Sequence, residues 1–133
     1  MNFKQLGISN DLVNTLNQMG IKNPTPIQEE AIPLIINKKD IIAQSQTGTG
    51  KTFAFLLPMF ENINPKDNSI QGLIITPTRE LAIQISEAAQ KLNETKNLNI
   101  LAAYGGKDIK SQLNKLKRNI HLVIATPGRL LDH

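Results

Sequence analysis

Four short apolar runs constrain this chain more than any other feature: "DIIA" at 40–43, "GLIIT" at 72–76, "ILAAY" at 100–104 and "LVIA" at 122–125. They are rich in β-branched residues and do not alternate with polar ones. That is the pattern of strands buried on both faces of a parallel sheet. Stretches of helical spacing lie between them. Leu81, Ile85, Ala88 and Leu92 recur on one helical face, and Ile109, Leu113 and Leu116 do so more briefly. Parallel strands need crossovers, so strand, helix, strand repeated predicts an α/β fold, a parallel sheet with helices on both faces.

Further helices precede and follow the first run. Ser9 is suited to cap a helix running to Met19, which Gly20 ends. Thr25 is suited to cap a second, with Pro26 at its first position, where a missing amide proton costs nothing. A helix from Thr52 to about Ile63 is apolar nearly all round and should be deeply packed, with a kink expected at Pro58. "NINPKDNS" (62–69) and "NETKNLN" (93–99) read as loops. No repeat or domain linker interrupts the 133 residues, a length that suits one domain with a real core.

Composition narrows the classes. The absence of cysteine excludes disulfides and cysteine-ligated zinc. The longest apolar run, "FAFLLPMF", is too short to cross a bilayer and contains Pro58, so no membrane partner is expected and the location expected is cytoplasmic. A formal charge of +4 is compatible with a polyanion partner without requiring one.

After "DIIA" comes "SQTGTGKT" (45–52) and then a helix, the context of a phosphate-binding loop. The stretch is Ser45, Gln46, Thr47, Gly48, Thr49, Gly50, Lys51 and Thr52. Gly48 and Gly50 let the backbone turn tightly, so that amides converge on phosphate oxygens at a helix N-terminus. Lys51 can reach the outer phosphates, and the Thr52 hydroxyl can hold Mg. The general pattern begins with glycine where this chain has Ser45. The plain alternative is a glycine-rich turn with a chance lysine. Upstream, Gln28 of "IKNPTPIQ" supports two readings. Its amide can pair with the amine and ring nitrogen of adenine, a contact guanine rejects. Thr25 and Gln28 also have capping-box spacing, and from the residues alone the cap is favoured.

"PTPIQ", "AQSQTGTGKT", "PTRELA" (77–82), "YGG" (104–106) and "TPGR" (126–129), in that order, resemble the motifs of the DEAD-box ATP-dependent RNA helicases, most closely the bacterial members. The resemblance spans Phe3 to His133, and Ser45 is no departure on it. It implies part of a RecA-like domain that uses ATP and Mg. Residues 1–133 would form the N-terminal portion of the first such domain, and 1–29 its Q-motif region. It makes Gln28 the adenine reader, backed by Phe3. Ile21 stands where many members carry an aromatic over the base, so apolar contact remains and some stacking is lost. Lys51 and Thr52 become the catalytic-loop residues. Pro77, Thr78, Arg79, Gly105, Gly106, Thr126, Pro127, Gly128 and Arg129 become the grip on RNA, through phosphates and sugars and with little sequence preference. On plainer grounds Glu80 suits a first helical turn, Tyr104 suits packing, and "KDIKSQLNKLKR" suits a solvated face. His121 and His133 have no sequence partners suggesting a metal site or triad.

No Asp-Glu-Ala-Asp motif occurs in the sequence, nor the family's Ser-Ala-Thr motif. The resemblance therefore implies a segment of a larger helicase, inactive alone. Its cradle strand would lack its usual neighbours, leaving open sheet edges and a tendency to self-associate. A different class, a non-catalytic RNA-binding or regulatory module on the same scaffold, stays open. An unrelated P-loop ATPase explains "GTGKT" and leaves the other motifs unexplained.

Overall fold

The structure, a computed structural model, describes residues 1–44, 50–104 and 119–127. The chain forms two compact units, Met1–Asn62 and Ile63–His133.

The first unit is helical: α1 (Asn10–Gln18), α2 (Pro26–Ile36) and α3 (Lys51–Asn62). Leu12, Leu16, Ile32, Leu56, Leu57 and Phe60 are wholly buried in it, and α2 packs along α3. The start of α2 follows from its own sequence. Thr25 and Gln28 make a reciprocal capping box with Pro26 at the first helical position. The end of α1 is equally local. Gly20 takes φ +81°, and the Ile21 amide donates back to the Leu16 carbonyl at 2.9 Å. Its start is not. Ser9 occupies the cap position, yet its side chain makes no capping bond; the Glu61 carboxylate instead accepts the Ser9 amide at 2.6 Å. The charged acceptor from α3 holds the cap residue's own amide and does not take over the missing side-chain cap. Next to Glu61, Asn62 reaches the C-terminus of α2, its Nδ2 donating to the carbonyls of Ile35 and Ile36 at 3.3 and 3.4 Å. The Ile35 carbonyl also accepts the Lys38 amide at 2.9 Å, so Asn62 adds a second donor there beside the orphan carbonyl of Ile36.

The expected strand at 40–43 is not formed. Residues 40–44 run without a ladder partner among the described residues, and Ile42 is 99% exposed. Apolar, β-branched composition favours extended backbone, but a strand exists only where a neighbouring strand pairs with it.

The second unit carries a parallel sheet of β1 (Gly72–Ile75), β2 (Ile100–Ala103) and β3 (Leu122–Ala125), in the order β1-β3-β2. Register is regular: Gly72 and Ile100 both face Leu122, and Ile75 and Ala103 both face Ala125. Central β3 is buried throughout, as its unbroken apolar run requires. Helix α4 (Arg79–Lys96) packs on β2 and β3 and buries Ala82, Ile85, Ala89 and Leu92. Leu101, Ala103, Ile120, Val123 and Ala125 form a separate buried cluster. The expected loop at 93–99 is shorter than its composition suggested. α4 continues to Lys96, whose ammonium donates to the Ile63 carbonyl at 2.9 Å, and left-handed Asn97 (φ +60°) ends it. Asn93 then clasps Leu98, accepting its amide at 2.6 Å and donating to its carbonyl at 2.8 Å. The expected helix around Ile109, Leu113 and Leu116 and the basic stretch "KDIKSQLNKLKR" lie outside the described residues.

Candidate functional site

Of the residues expected on the nucleotide side, Gln28, Gly50, Lys51 and Thr52 come together at the start of α3, in the first unit. Ser45, Gln46, Thr47, Gly48 and Thr49 lie outside the described residues. Gly50 is described, with φ +88°, and its carbonyl accepts the Ala54 amide at 3.2 Å, the first bond of α3. The same carbonyl accepts the Gln28 side-chain Nε2 at 3.1 Å. A Cβ on Gly50 would lie 2.5 Å from that nitrogen and 3.0 Å from Thr25 Oγ1, so a side chain there must displace the Gln28 amide as well as strain the backbone.

Gln28 is 2% exposed. Its Oε1 accepts the Thr25 amide at 2.9 Å, and its backbone amide donates to Thr25 Oγ1 at 3.4 Å. The capping box therefore exists, and one side chain serves both it and the residue preceding Lys51 and Thr52. Among the described residues Gln28 spends one acceptor and one donor on the protein. A primary amide has twice that capacity, so one donor and one acceptor site are left over. Lys51 is exposed in the first turn of α3, and Thr52 beside it is half-buried. Both stand at a helix N-terminus, where the backbone dipole favours negative charge. A hydroxyl and an ammonium at that position are a donor set that suits a phosphate with its Mg. Alongside Lys51 lies a cavity of about 210 Å³ lined by Ile27, Ala31, Ile35, Ala43 and Ala54. Ile21 is half-buried at the end of α1, and Phe3 is 2% exposed within the core, where it packs rather than presenting a face to solvent.

The residues expected on the nucleic-acid side belong to the second unit. The structure brings two of their motifs to the carboxyl ends of adjacent strands. The Thr76 amide donates to the Ala125 carbonyl at 2.9 Å, and the Thr126 amide donates to the Ala103 carbonyl at 3.1 Å. The segments leaving β1, β3 and β2 thus start level with one another. In an open parallel sheet that is the end at which ligands are received. Pro77, Thr78 and Arg79 are exposed there, as is Pro127, with Thr126 half-buried. Thr78 caps α4, its Oγ1 accepting the Leu81 amide at 3.2 Å, and Thr76 Oγ1 donates to the Thr78 carbonyl at 2.8 Å. Gly105, Gly106, Gly128 and Arg129 lie outside the described residues, as does His133. Tyr104 is buried, in line with packing.

His121 was unremarkable in sequence and proves structural. It is buried, its Nδ1 accepts the Asn99 amide at 2.9 Å, and its Nε2 lies 3.0 Å from the Pro65 carbonyl. Nδ1 can accept only when unprotonated, so the ring proton sits on Nε2 and is donated to Pro65. The ring ties the turn before β2 and the loop before β1 to the start of β3. Among the described residues no cluster of metal-ligating side chains occurs.

Comparison with known proteins fits this arrangement. A family model described as DEAD/DEAH box helicase matches residues 25–133. The ATP-dependent RNA helicase CshA of Listeria monocytogenes is 53% identical over 98% of this chain and 25% of its own length. The DEAD-box ATP-dependent RNA helicase CshA of Bacillus subtilis is 50% identical over 98% of this chain and 26% of its own. Among solved structures, a DEAD box protein from the hyperthermophile Methanococcus jannaschii superposes with a TM-score of 0.92 at 44% identity, covering all of this chain and 36% of that one. Saccharomyces cerevisiae Dbp5 bound to RNA and ADP BeF3 gives 0.87 at 36% identity, over 98% of this chain and 33% of the other. The chain thus spans about a quarter of the length of these curated relatives.

Proposed function

The chain belongs to the DEAD/DEAH box helicase family, and from that premise we propose that it is the ATP- and RNA-binding segment of an ATP-dependent RNA helicase. Residues 1–133 supply the N-terminal portion of its first RecA-like domain, and residues 1–29 its Q-motif region. The observation that carries this reading is the bond from Gln28 Nε2 to the Gly50 carbonyl. It ties the adenine-reading side chain to the residue that leads into Lys51 and Thr52.

In this role the remaining donor and acceptor of Gln28 select adenine. The Lys51 ammonium balances the outer phosphates at the start of α3. The Thr52 hydroxyl is a ligand for Mg, which when bound neutralises phosphate charge and polarises the bond to be broken. Pro77, Thr78 and Arg79, with Thr126 and Pro127, hold an RNA backbone at the carboxyl ends of β1 and β3, using a hydroxyl, a guanidinium and a helix N-terminus. Gly105, Gly106, Gly128 and Arg129 complete that grip. The whole protein unwinds or remodels RNA duplexes in the cytoplasm. The present 133 residues, without an Asp-Glu-Ala-Asp sequence, do not turn over ATP alone, and they self-associate.

Titration with labelled ATP and GTP in the presence of Mg tests the reading. ATP should bind more tightly than GTP. Lys51→Ala should weaken ATP at least tenfold, about 1.4 kcal/mol, and Gln28→Ala should erase the preference for adenine. Equal affinity for both nucleotides, or an unaffected Lys51→Ala, refutes the nucleotide site. RNA-stimulated phosphate release by the isolated chain refutes its inactivity.

A further inference from the structure

We propose that Thr76 is a positioning residue for the RNA grip: its buried hydroxyl turns the peptide unit between Thr78 and Arg79 so that the Arg79 amide faces an RNA phosphate. This role rests on the grip proposed above and adds to it a residue that touches no RNA itself. Thr76 follows directly on β1 and is 2% exposed. Its amide donates to the Ala125 carbonyl of β3 at 2.9 Å, so the sheet fixes its backbone. A hydroxyl buried to that degree must find its partner inside the protein. It donates to the Thr78 carbonyl at 2.8 Å. Pro77, which stands between the two threonines, brings no amide proton, and the Thr76 hydroxyl supplies the tie across that turn.

The Thr78 carbonyl and the Arg79 amide belong to one trans peptide unit and point in opposite directions. Drawing the carbonyl inward therefore aims the amide outward. Two donors hold that carbonyl, Thr76 Oγ1 at 2.8 Å and the Ala82 amide at 3.2 Å. Hydrogen bonds to the oxygen polarise the unit and strengthen its N–H as a donor. Arg79 is the first residue of α4, so its amide has no acceptor within the helix. The exposed Thr78 and Arg79 side chains flank it. Thr76 thus carries the position of the sheet to the donor that meets the phosphate.

The test uses the full-length protein that carries these residues, with Mg and a non-hydrolysable ATP analogue. Fluorescence anisotropy of a labelled oligouridylate reads affinity, and circular dichroism checks the fold of every variant. Thr76→Val keeps the shape and removes the hydroxyl; Thr76→Ser keeps the hydroxyl. Valine should weaken RNA about fivefold, the equivalent of one ordinary hydrogen bond, and serine should bind as the wild type does. Thr76→Ala lacks the hydroxyl without filling the site, and should follow valine. Position 79 supplies a readout that a general loss of stability would not move. Arg79→Ala and Arg79→Pro both lack the guanidinium, but only proline lacks the amide proton. Proline is tolerated at a first helical position after an extended residue, and Thr78 is extended (φ −129°, ψ 153°). Thr76→Val should weaken RNA about fivefold in the Arg79→Ala background and not at all in the Arg79→Pro background. A wild-type protein that binds no RNA overturns the grip itself. Where the wild type does bind, the role of Thr76 is overturned if valine and alanine bind as tightly, if serine is as weak as valine, or if valine costs the same in both backgrounds.

Discussion

Two glycines with nearly the same backbone angle allow the Gln28–Gly50 contact to be weighed. Gly20 has φ +81° and Gly50 has φ +88°. A side chain at either sits in backbone space that L residues rarely occupy, which costs of order 1–3 kcal/mol. Their surroundings differ. A Cβ at Gly20 meets nothing within 4 Å, whereas one at Gly50 lies 2.5 Å from Gln28 Nε2 and 3.0 and 3.1 Å from Thr25. Gly20→Ala therefore carries the conformational term alone. Gly50→Ala must also drive the Gln28 amide away, and leaving that buried donor unpaired costs about 1–3 kcal/mol. The expected excess of Gly50→Ala over Gly20→Ala is thus roughly 1–3 kcal/mol, a large part of a typical domain's stability. Urea unfolding of the 133-residue chain measures it. Combining Gln28→Ala with Gly50→Ala removes the nearest obstruction, so the pair should cost at least about 1 kcal/mol less than the sum of its parts. Nucleotide titration should weaken with Gly50→Ala and hold steady with Gly20→Ala. Equal destabilisation by the two alanines, or strict additivity of the double variant, would refute the idea that this contact fixes the entry to α3.

Three further outcomes test other parts of the structure. Glu61→Ala removes the carboxylate that accepts the Ser9 amide, and should lower unfolding stability by about 1–2 kcal/mol; circular dichroism during urea unfolding reads it. His121→Ala strands the Asn99 amide and the Pro65 carbonyl and should cost about 2–4 kcal/mol, visible as a lowered thermal midpoint. Arg79→Ala alters an exposed residue. It should leave the melting curve unchanged, weaken binding of a single-stranded RNA whatever its sequence, and flatten the salt dependence of that binding by about one phosphate contact.

Features encoded by neighbours in sequence were legible there. The capping box at Thr25 and Gln28 spans three residues, the Gly20 terminus of α1 is a local turn, and β1, β2 and β3 match their apolar runs almost residue for residue. What sequence could not supply is pairing across distance. Ser9 looked like a cap, yet its side chain makes no capping bond, and the contact that holds its amide comes from a position 52 residues on. "DIIA" has the composition of a buried strand, but composition does not provide the neighbour that makes one. His121 carries no motif, and its two partners lie 22 and 56 residues away. Gln28 shows the same division: its bond to Thr25 follows from a three-residue spacing, whereas its bond to the Gly50 carbonyl joins residues 22 apart and no motif announces it.

The order β1-β3-β2 has a consequence for how the polypeptide is made. The strand that joins the other two is the last of the three to leave the ribosome. β1 and β2 do not pair with each other, so neither ladder can begin until residues 122–125 have emerged. Until that moment both remain unzipped in the nascent chain, and sheet formation must then be a late, long-range closure rather than a progressive one.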